Sequence, residues 1–172
     1  FGFTTVCKAA DAPLKQNSNA STTVVQRENA RLLTADYARF RKQQVSKPTY
    51  QLQLDIAADS SSFSGKVRID FELATANTSP LTIDFDSGTI TELTINGSKA
   101  AFEYERWFIT LPAASLQAGS NTISIAYERP YATDGAGLHR FTDPENGEVY
   151  LYTNFEPYDA NRLFPHFDQP NL

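Results

Sequence analysis

The sequence has a single cysteine, Cys7, only two histidines, one tryptophan and no methionine among its 172 residues. One cysteine cannot form an internal disulfide, so no cross-link stabilises the fold, and cysteine usage says little about the compartment. No stretch approaches the ~20 consecutive apolar residues that a membrane-spanning helix requires, so we expect no membrane span. The net charge of −5 argues against a nucleic-acid partner, which would call for a basic face.

Several catalytic signatures are also missing. The two histidines, His139 and His166, do not follow the H-E-x-x-H spacing that places two imidazoles on one face of a zinc-binding helix. We therefore predict that neither binds metal and that this chain contains no zinc site. A phosphate-binding G-x-x-x-x-G-K-[ST] loop and a G-x-S-x-G nucleophile elbow are absent too. The segments around Asp134 and residues 143–148 are interpreted as ordinary turns, because they lack the ligand spacing of a calcium loop.

The length fits one domain with a sizeable core, because 172 residues are too few for two ordinary domains. Residues 1–23 are mostly polar and small, and we interpret them as a flexible leader. The leader also permits a signal remnant or a lipoprotein cysteine at Cys7. A signal remnant would place the protein in the cell envelope, in the periplasm or outside the cell, and its absence would favour the cytoplasm.

Residues 24–44 have helical spacing, with Leu33, Tyr37 and Phe40 on one stripe and basic residues near the C-terminal end. This pattern predicts one amphipathic helix, whose apolar stripe covers either this domain or a neighbouring one. From residue 45 to residue 172 the period falls to two, and short alternating segments recur every 10 to 15 residues. Many short strands without long helices between them predict an all-β fold, an antiparallel β-sandwich.

The most specific stretch is residues 152–170, which reads YTNFEPYDANRLFPHFDQP. Glu156 precedes Pro157, and the proline ring disfavours the helical conformation at the preceding residue, so we expect Glu156 to be extended. Asn154 lies two residues earlier, and in a strand the two side chains would share a face. Arg162 is spaced to pair with Asp159 if that segment is helical.

This stretch resembles the end of the N-terminal domain of M1-family zinc aminopeptidases, where the pattern is T-x-x-E-P-x-D-A-R/N-x-x-F-P-x-F-D-x-P. The matching positions are Thr153, Glu156, Pro157, Asp159, Ala160, Asn161, Phe164, Pro165, Phe167, Asp168 and Pro170. The resemblance implies a β-sandwich that accompanies a thermolysin-like catalytic domain located elsewhere in the same polypeptide.

The resemblance also implies the roles of two residues. Glu156 would bind the α-ammonium of a peptide substrate, and Asn154, where relatives often have glutamine, would line the pocket for the first substrate side chain. Zinc and the catalytic residues would belong to the missing domain, so the resemblance implies an N-terminal fragment that is inactive by itself. For Phe155, Phe164 and Phe167 the residue type favours packing in the core.

A second interpretation is a free-standing β-sandwich that binds carbohydrate or protein. In that case Trp107, Tyr131 and Tyr158 would be exposed stacking residues. The fold alone permits this function, since sandwiches support many unrelated activities.

Overall fold

The computed structural model describes residues 25–75 and 79–172, so the predicted leader at 1–23 lies outside the described residues. One helix, α1, spans Ala35–Gln44. The strands that follow are β1 Val45–Asp55, β2 Ser62–Leu73, β3 Leu81–Asp84, β4 Thr89–Ile95, β5 Ser98–Lys99, β6 Glu103–Tyr104, β7 Phe108–Leu111, β8 Gly119–Pro130, β9 Gly137–Thr142 and β10 Val149–Asn154. Two short 3₁₀ helices span Ala113–Ser115 and Ala160–Arg162.

The strands form three antiparallel sheets. The largest has the order β1-β2-β8-β4-β5, a second has the order β3-β7-β6, and β9 and β10 form a separate hairpin. The predicted all-β antiparallel architecture is confirmed.

The core lies between the first two sheets. Ile69 of β2 and Ile123 of β8 are directly opposite one another and fully buried. They belong to the same apolar cluster as Ile83 of β3 and Ile109 of β7. Burial on alternate positions of β2 and β8 is the expected consequence of the two-residue period in the sequence.

The helix is present but shorter than predicted. It begins at Ala35 rather than at residue 24, because the Thr34 hydroxyl accepts a hydrogen bond from the Tyr37 amide at 3.2 Å and caps the first turn. Residues 25–34 contain no helix or strand. The apolar stripe covers this domain: Tyr37 is buried, and its hydroxyl accepts a hydrogen bond from the Thr82 amide of β3 at 3.0 Å.

Strand β9 was missed by the sequence analysis, which treated Gly137 as part of a loop. Gly137 opens the strand with a φ of 69°, a conformation that favours glycine. Among the described strands, β9 pairs only with β10, and its last residues are exposed. Because the strand does not bury one face along its whole length, its sequence shows little alternation of apolar and polar residues. A short hairpin strand of this kind gives no strong periodic signal.

Candidate functional site

The end of β10 carries both residues predicted to bind substrate. Asn154 is the last residue of the strand, opposite Gly137, and its side-chain oxygen accepts a hydrogen bond from the Glu156 amide at 3.3 Å. Glu156 therefore lies just beyond the strand, so strand alternation does not place its side chain on the same face as that of Asn154. The two residues are instead joined by a local turn in which the Asn154 side chain bonds the backbone two residues later.

Glu156 is exposed, and its carboxylate makes no hydrogen bond or ion pair with any residue in the described ranges. The peptide bond that joins it to Pro157 is cis. A purely structural carboxylate would be bonded to its own turn, and this one is not. The turn thus presents an anionic group that is available to a cation from outside the domain.

The turn after Glu156 is fixed by bonds to Asp159. The Asp159 amide donates to the Phe155 carbonyl at 3.0 Å, which closes the turn around Glu156 and Pro157. The Asp159 side chain is buried and forms an ion pair with Arg31. The predicted contact between Asp159 and Arg162 is present but long, at 3.7 Å.

Arg162 has a closer partner in Asp134. Its Nη2 atom donates to both carboxylate oxygens of Asp134, at 2.9 and 3.0 Å. The Arg162 guanidinium lowers the pKa of Asp134 below its usual range. This pair joins the loop before β9 to the 3₁₀ helix that follows the Glu156 turn.

A buried ion cluster lies behind the turn and centres on Asp84, the last residue of β3. Asp84 is fully buried, accepts from Arg41 Nη1 at 2.6 Å and also forms an ion pair with Arg27. It further accepts from the Asp168 amide at 3.0 Å. A buried carboxylate of this kind is stable only when it is paired and hydrogen-bonded, which is the case here.

Tyr158 connects the ion cluster to the motif. Its hydroxyl lies 3.4 Å from Asp84 Oδ1, to which it donates. Burial, reinforced by the negative charges of Asp84 and Asp168, raises the pKa of Tyr158 above its ordinary value. The hydroxyl therefore keeps its proton at neutral pH and acts as a donor to the carboxylate.

The β9–β10 hairpin presents an aromatic face next to Asn154. Phe141 and Tyr150 are directly paired across the hairpin, and so are His139 and Tyr152, whose rings lie 4.7 Å apart. The side chains of Phe141, Tyr150 and Tyr152 are 46%, 47% and 48% exposed. We call these three residues and His139 the hairpin aromatic face, and it extends to Asn154, which precedes the Glu156 turn.

Neither histidine lies in a metal-binding arrangement. The His139 Nδ1 atom accepts from the Gly135 amide at 2.9 Å, and the His166 Nδ1 atom is 3.0 Å from the Phe164 carbonyl. Across residues 25–75 and 79–172, no three His, Cys, Asp or Glu side chains are grouped in a way that fits a metal ion. In the same part of the chain, no helix is long and apolar enough to cross a membrane.

The expectation that Trp107, Tyr131 and Tyr158 are exposed stacking residues is wrong. Tyr131 is buried in the core, Tyr158 binds Asp84, and the ring of Trp107 is covered by the Arg106 guanidinium at 4.2 Å. The three do not form an exposed stacking surface. Of the three motif phenylalanines, Phe167 is buried as expected, Phe164 is half-buried, and Phe155 is 37% exposed, contrary to the expectation of core packing.

Sequence reasoning also missed the cationic partners of the motif, Arg27 and Arg31. Both lie within the predicted helix at 24–44, and charged residues of an amphipathic helix are ordinarily exposed to solvent. The only available signal was the presence of two acidic residues, Asp84 and Asp159, in otherwise apolar or turn-forming surroundings.

The matched family model is the Peptidase M1 N-terminal domain, which covers residues 46–172. The chain therefore belongs to the M1 peptidase family, of which it contains the N-terminal domain. The resemblance drawn from residues 152–170 is confirmed.

Among individual relatives, the chain is 33% identical over 144 residues to aminopeptidase N of Streptomyces lividans, an alignment that covers 81% of this chain and 16% of that protein. It is 28% identical over 148 residues to aminopeptidase A of Gloydius brevicauda, covering 78% of this chain and 16% of the relative. The chain thus spans about a sixth of the length of these curated relatives.

Solved structures share the fold. Native leukotriene A4 hydrolase from Saccharomyces cerevisiae superposes with a TM-score of 0.62 at 22% identity, over 74% of this chain and 22% of that one. Yeast LTA4 hydrolase in complex with bestatin gives 0.59 at 24% identity, over 70% of this chain and 20% of that one. At this level of identity the similarity establishes the β-sandwich architecture.

Proposed function

We propose that this chain is the substrate-anchoring domain of a longer zinc-dependent aminopeptidase, in which Glu156 binds the α-ammonium group of a peptide substrate. The observation that carries the proposal is the exposed Glu156 carboxylate, which no described residue pairs, at the end of a strand in an M1 N-terminal domain. The aminopeptidase relatives support the same activity class.

The chemistry suits recognition of a free amino terminus. An α-amino group has a pKa of about 7.7 to 8.0, so a large fraction is cationic at neutral pH. A hydrogen bond between an ammonium and a carboxylate is about twice as strong as one between neutral groups. An internal peptide amide carries no charge and would leave the carboxylate unpaired, so Glu156 would direct cleavage to the first residue of a chain.

The described residues do not fit the zinc ion that the family implies, because no three suitable ligands converge. In the proposed enzyme, the metal and the catalytic groups lie outside this part of the polypeptide, and these residues bind and orient the substrate. Holding the ammonium at a fixed point confines the scissile bond to a fixed distance from Glu156. Such positioning is a large source of rate acceleration in enzymes.

Asn154 has a supporting role in this proposal. Its side chain bonds the Glu156 amide, so it helps to set the direction of the turn. Its exposed position beside the hairpin aromatic face also suits contact with the first side chain of the substrate. The hairpin aromatic face is the surface we assign to contact with the catalytic domain, because exposed aromatic side chains of this size are characteristic of interfaces.

The test compares two carboxylate variants of the full-length enzyme. We expect Glu156→Ala to lower kcat/KM for an amino-acid 4-nitroanilide by about 100-fold, because a charge-assisted bond of about 3 kcal/mol is lost. Glu145→Ala is the matched control, since Glu145 is an exposed glutamate in the loop between β9 and β10. Equal kcat/KM values for the Glu156→Ala and Glu145→Ala enzymes would contradict the proposal.

A further inference from the structure

We propose that Arg31, in the segment before the helix, is a positioning residue that holds the Glu156 turn in place for substrate binding. This inference rests on the proposed function of Glu156. Arg31 and the segment around it precede residue 46, where the match to the Peptidase M1 N-terminal domain begins.

Arg31 contacts two residues of the turn that carries Glu156. Its Nη2 atom donates to the Tyr158 carbonyl at 3.0 Å and forms an ion pair with the Asp159 carboxylate. Both acceptors lie within three residues of Glu156. One nitrogen of the guanidinium, Nη2, thus donates to both a backbone atom and a carboxylate of the same turn, and the bond to the carboxylate is charge-assisted.

The segment that supplies Arg31 is itself fixed to the fold. Arg27 pairs with the buried Asp84, and its Nη2 atom donates to the Arg31 carbonyl at 3.4 Å. The Arg27 guanidinium also lies over the Phe108 ring, 4.3 Å from the centroid. A series of contacts therefore runs from the ion cluster at the end of β3, through Arg27 and Arg31, to the turn.

Glu156 depends on these contacts because its carboxylate has no partner among the described residues. The carboxylate is exposed, so its location is set by the backbone of the turn and by the bond from the Glu156 amide to Asn154. The turn is closed by the bond from the Asp159 amide to the Phe155 carbonyl at 3.0 Å, so a displaced Asp159 also displaces Glu156. A misplacement of about 1 Å in a positioning group is enough to lower an enzymatic rate about 100-fold.

The decisive experiment is a double-mutant cycle in the full-length enzyme, read as KM and kcat for an amino-acid 4-nitroanilide. The variants are Arg31→Ala, Glu156→Ala and the pair together. We expect Arg31→Ala to raise KM about 10-fold, with kcat changed less than about threefold, because the ammonium anchor is displaced. In the Glu156→Ala background, the same substitution should change KM less than about twofold, because its effect passes through Glu156.

Two further variants separate positioning from general stability. Arg31→Lys keeps the charge but shortens the reach of the donor and changes its geometry, so we expect a KM between those of the wild type and Arg31→Ala. Arg39→Ala removes an exposed arginine of α1 that, among the described residues, pairs only with exposed Asp36, and it should leave KM unchanged.

The outcomes distinguish the two proposals. If Glu156→Ala raises KM and Arg31→Ala does not, the positioning role of Arg31 is wrong and the proposed function stands. If Arg31→Ala raises KM by the same factor in both backgrounds, it acts on the fold generally, and the positioning role is again wrong. If Glu156→Ala itself leaves KM and kcat/KM unchanged, the proposed function fails, and the role of Arg31 fails with it.

Discussion

Asp84 shows at the scale of single residues how one buried charge organises a site. It has no exposed surface, and two arginines, Arg27 and Arg41, supply its counter-charges. A tyrosine hydroxyl and a backbone amide of the motif, from Tyr158 and Asp168, donate further hydrogen bonds to it. The carboxylate therefore links the segment before the helix, the helix, the second sheet and the motif.

We predict that Asp84→Asn lowers the free energy of unfolding by about 3 to 5 kcal/mol, because two buried guanidinium groups lose their counter-charge. Urea denaturation of the protein measures this loss. Asp36→Asn is the control, since Asp36 pairs with Arg39 at the surface, with side chains 86% and 65% exposed. Its expected effect is below about 1 kcal/mol. Equal losses for the two variants would show that the Asp84 cluster does not stabilise the fold.

Residue identity alone was sufficient to find Glu156, because the proline after it and the motif around it are local in sequence. It was insufficient to find Arg31. That residue is 128 positions away from Asp159, and no periodic or local pattern connects the two. Pairs so far apart become visible only when the tertiary fold brings them together.

At the scale of elements, the β9–β10 hairpin leads directly into the turn that carries Glu156. Gly137 lies opposite Asn154, and a Cβ atom built on Gly137 would be 2.8 Å from the Cβ atom of Arg162. The hairpin and the 3₁₀ helix after the turn therefore approach one another closely at this glycine. Any side chain there must move one of the two elements.

We predict that Gly137→Ala destabilises the protein more than Gly147→Ala does. Both glycines have positive φ, 69° and 77°, so both substitutions cost about 1 to 2 kcal/mol in backbone conformation. Only Gly137 adds a steric clash, since nothing lies within 4 Å of a Cβ at Gly147. Overpacking of this kind costs a further 1 to 3 kcal/mol or so. Thermal or urea unfolding of both variants gives the difference, and a zero difference would contradict the close contact.

The periodicity of the sequence predicts the long strands and the helix better than it predicts the short hairpin strand. Strong alternation identified the long buried strands, and helical spacing identified α1. The start of the helix was wrong because Leu33 continues the apolar spacing by chance, whereas the cap at Thr34 is what ends the helix on that side. Strand β9 was missed because it is short and half exposed, so its sequence lacks the alternation of apolar and polar residues that identifies a strand.

At the scale of the whole molecule, the proposed function assigns to this domain the binding and orientation of substrate, and assigns the chemistry of peptide hydrolysis to groups elsewhere in the polypeptide. In the part of the chain that the structure describes, no three metal-ligating side chains converge. Its contribution to catalysis, under the proposed function, is the placement of one carboxylate relative to groups located elsewhere in the polypeptide.

We accordingly predict that the purified 172-residue chain does not hydrolyse an amino-acid 4-nitroanilide, with or without added zinc. The full-length enzyme, assayed in parallel, is the positive control. Turnover by the isolated chain that a chelator abolishes would show that the chain contains a complete catalytic site. That result would overturn the assignment of the domain to substrate anchoring alone.

The separation of interacting residues along the chain also sets the order of events during synthesis. Arg27 and Arg31 leave the ribosome early, and Asp84 follows 57 residues after Arg27. Asp159 emerges 128 residues after Arg31, and Gln169, which accepts from Arg41 Nε at 2.9 Å, is equally distant from its partner. The motif at residues 152–170 thus finds its contacts late in synthesis, and a nascent chain that ends before Asp159 leaves Arg31 without its carboxylate partner.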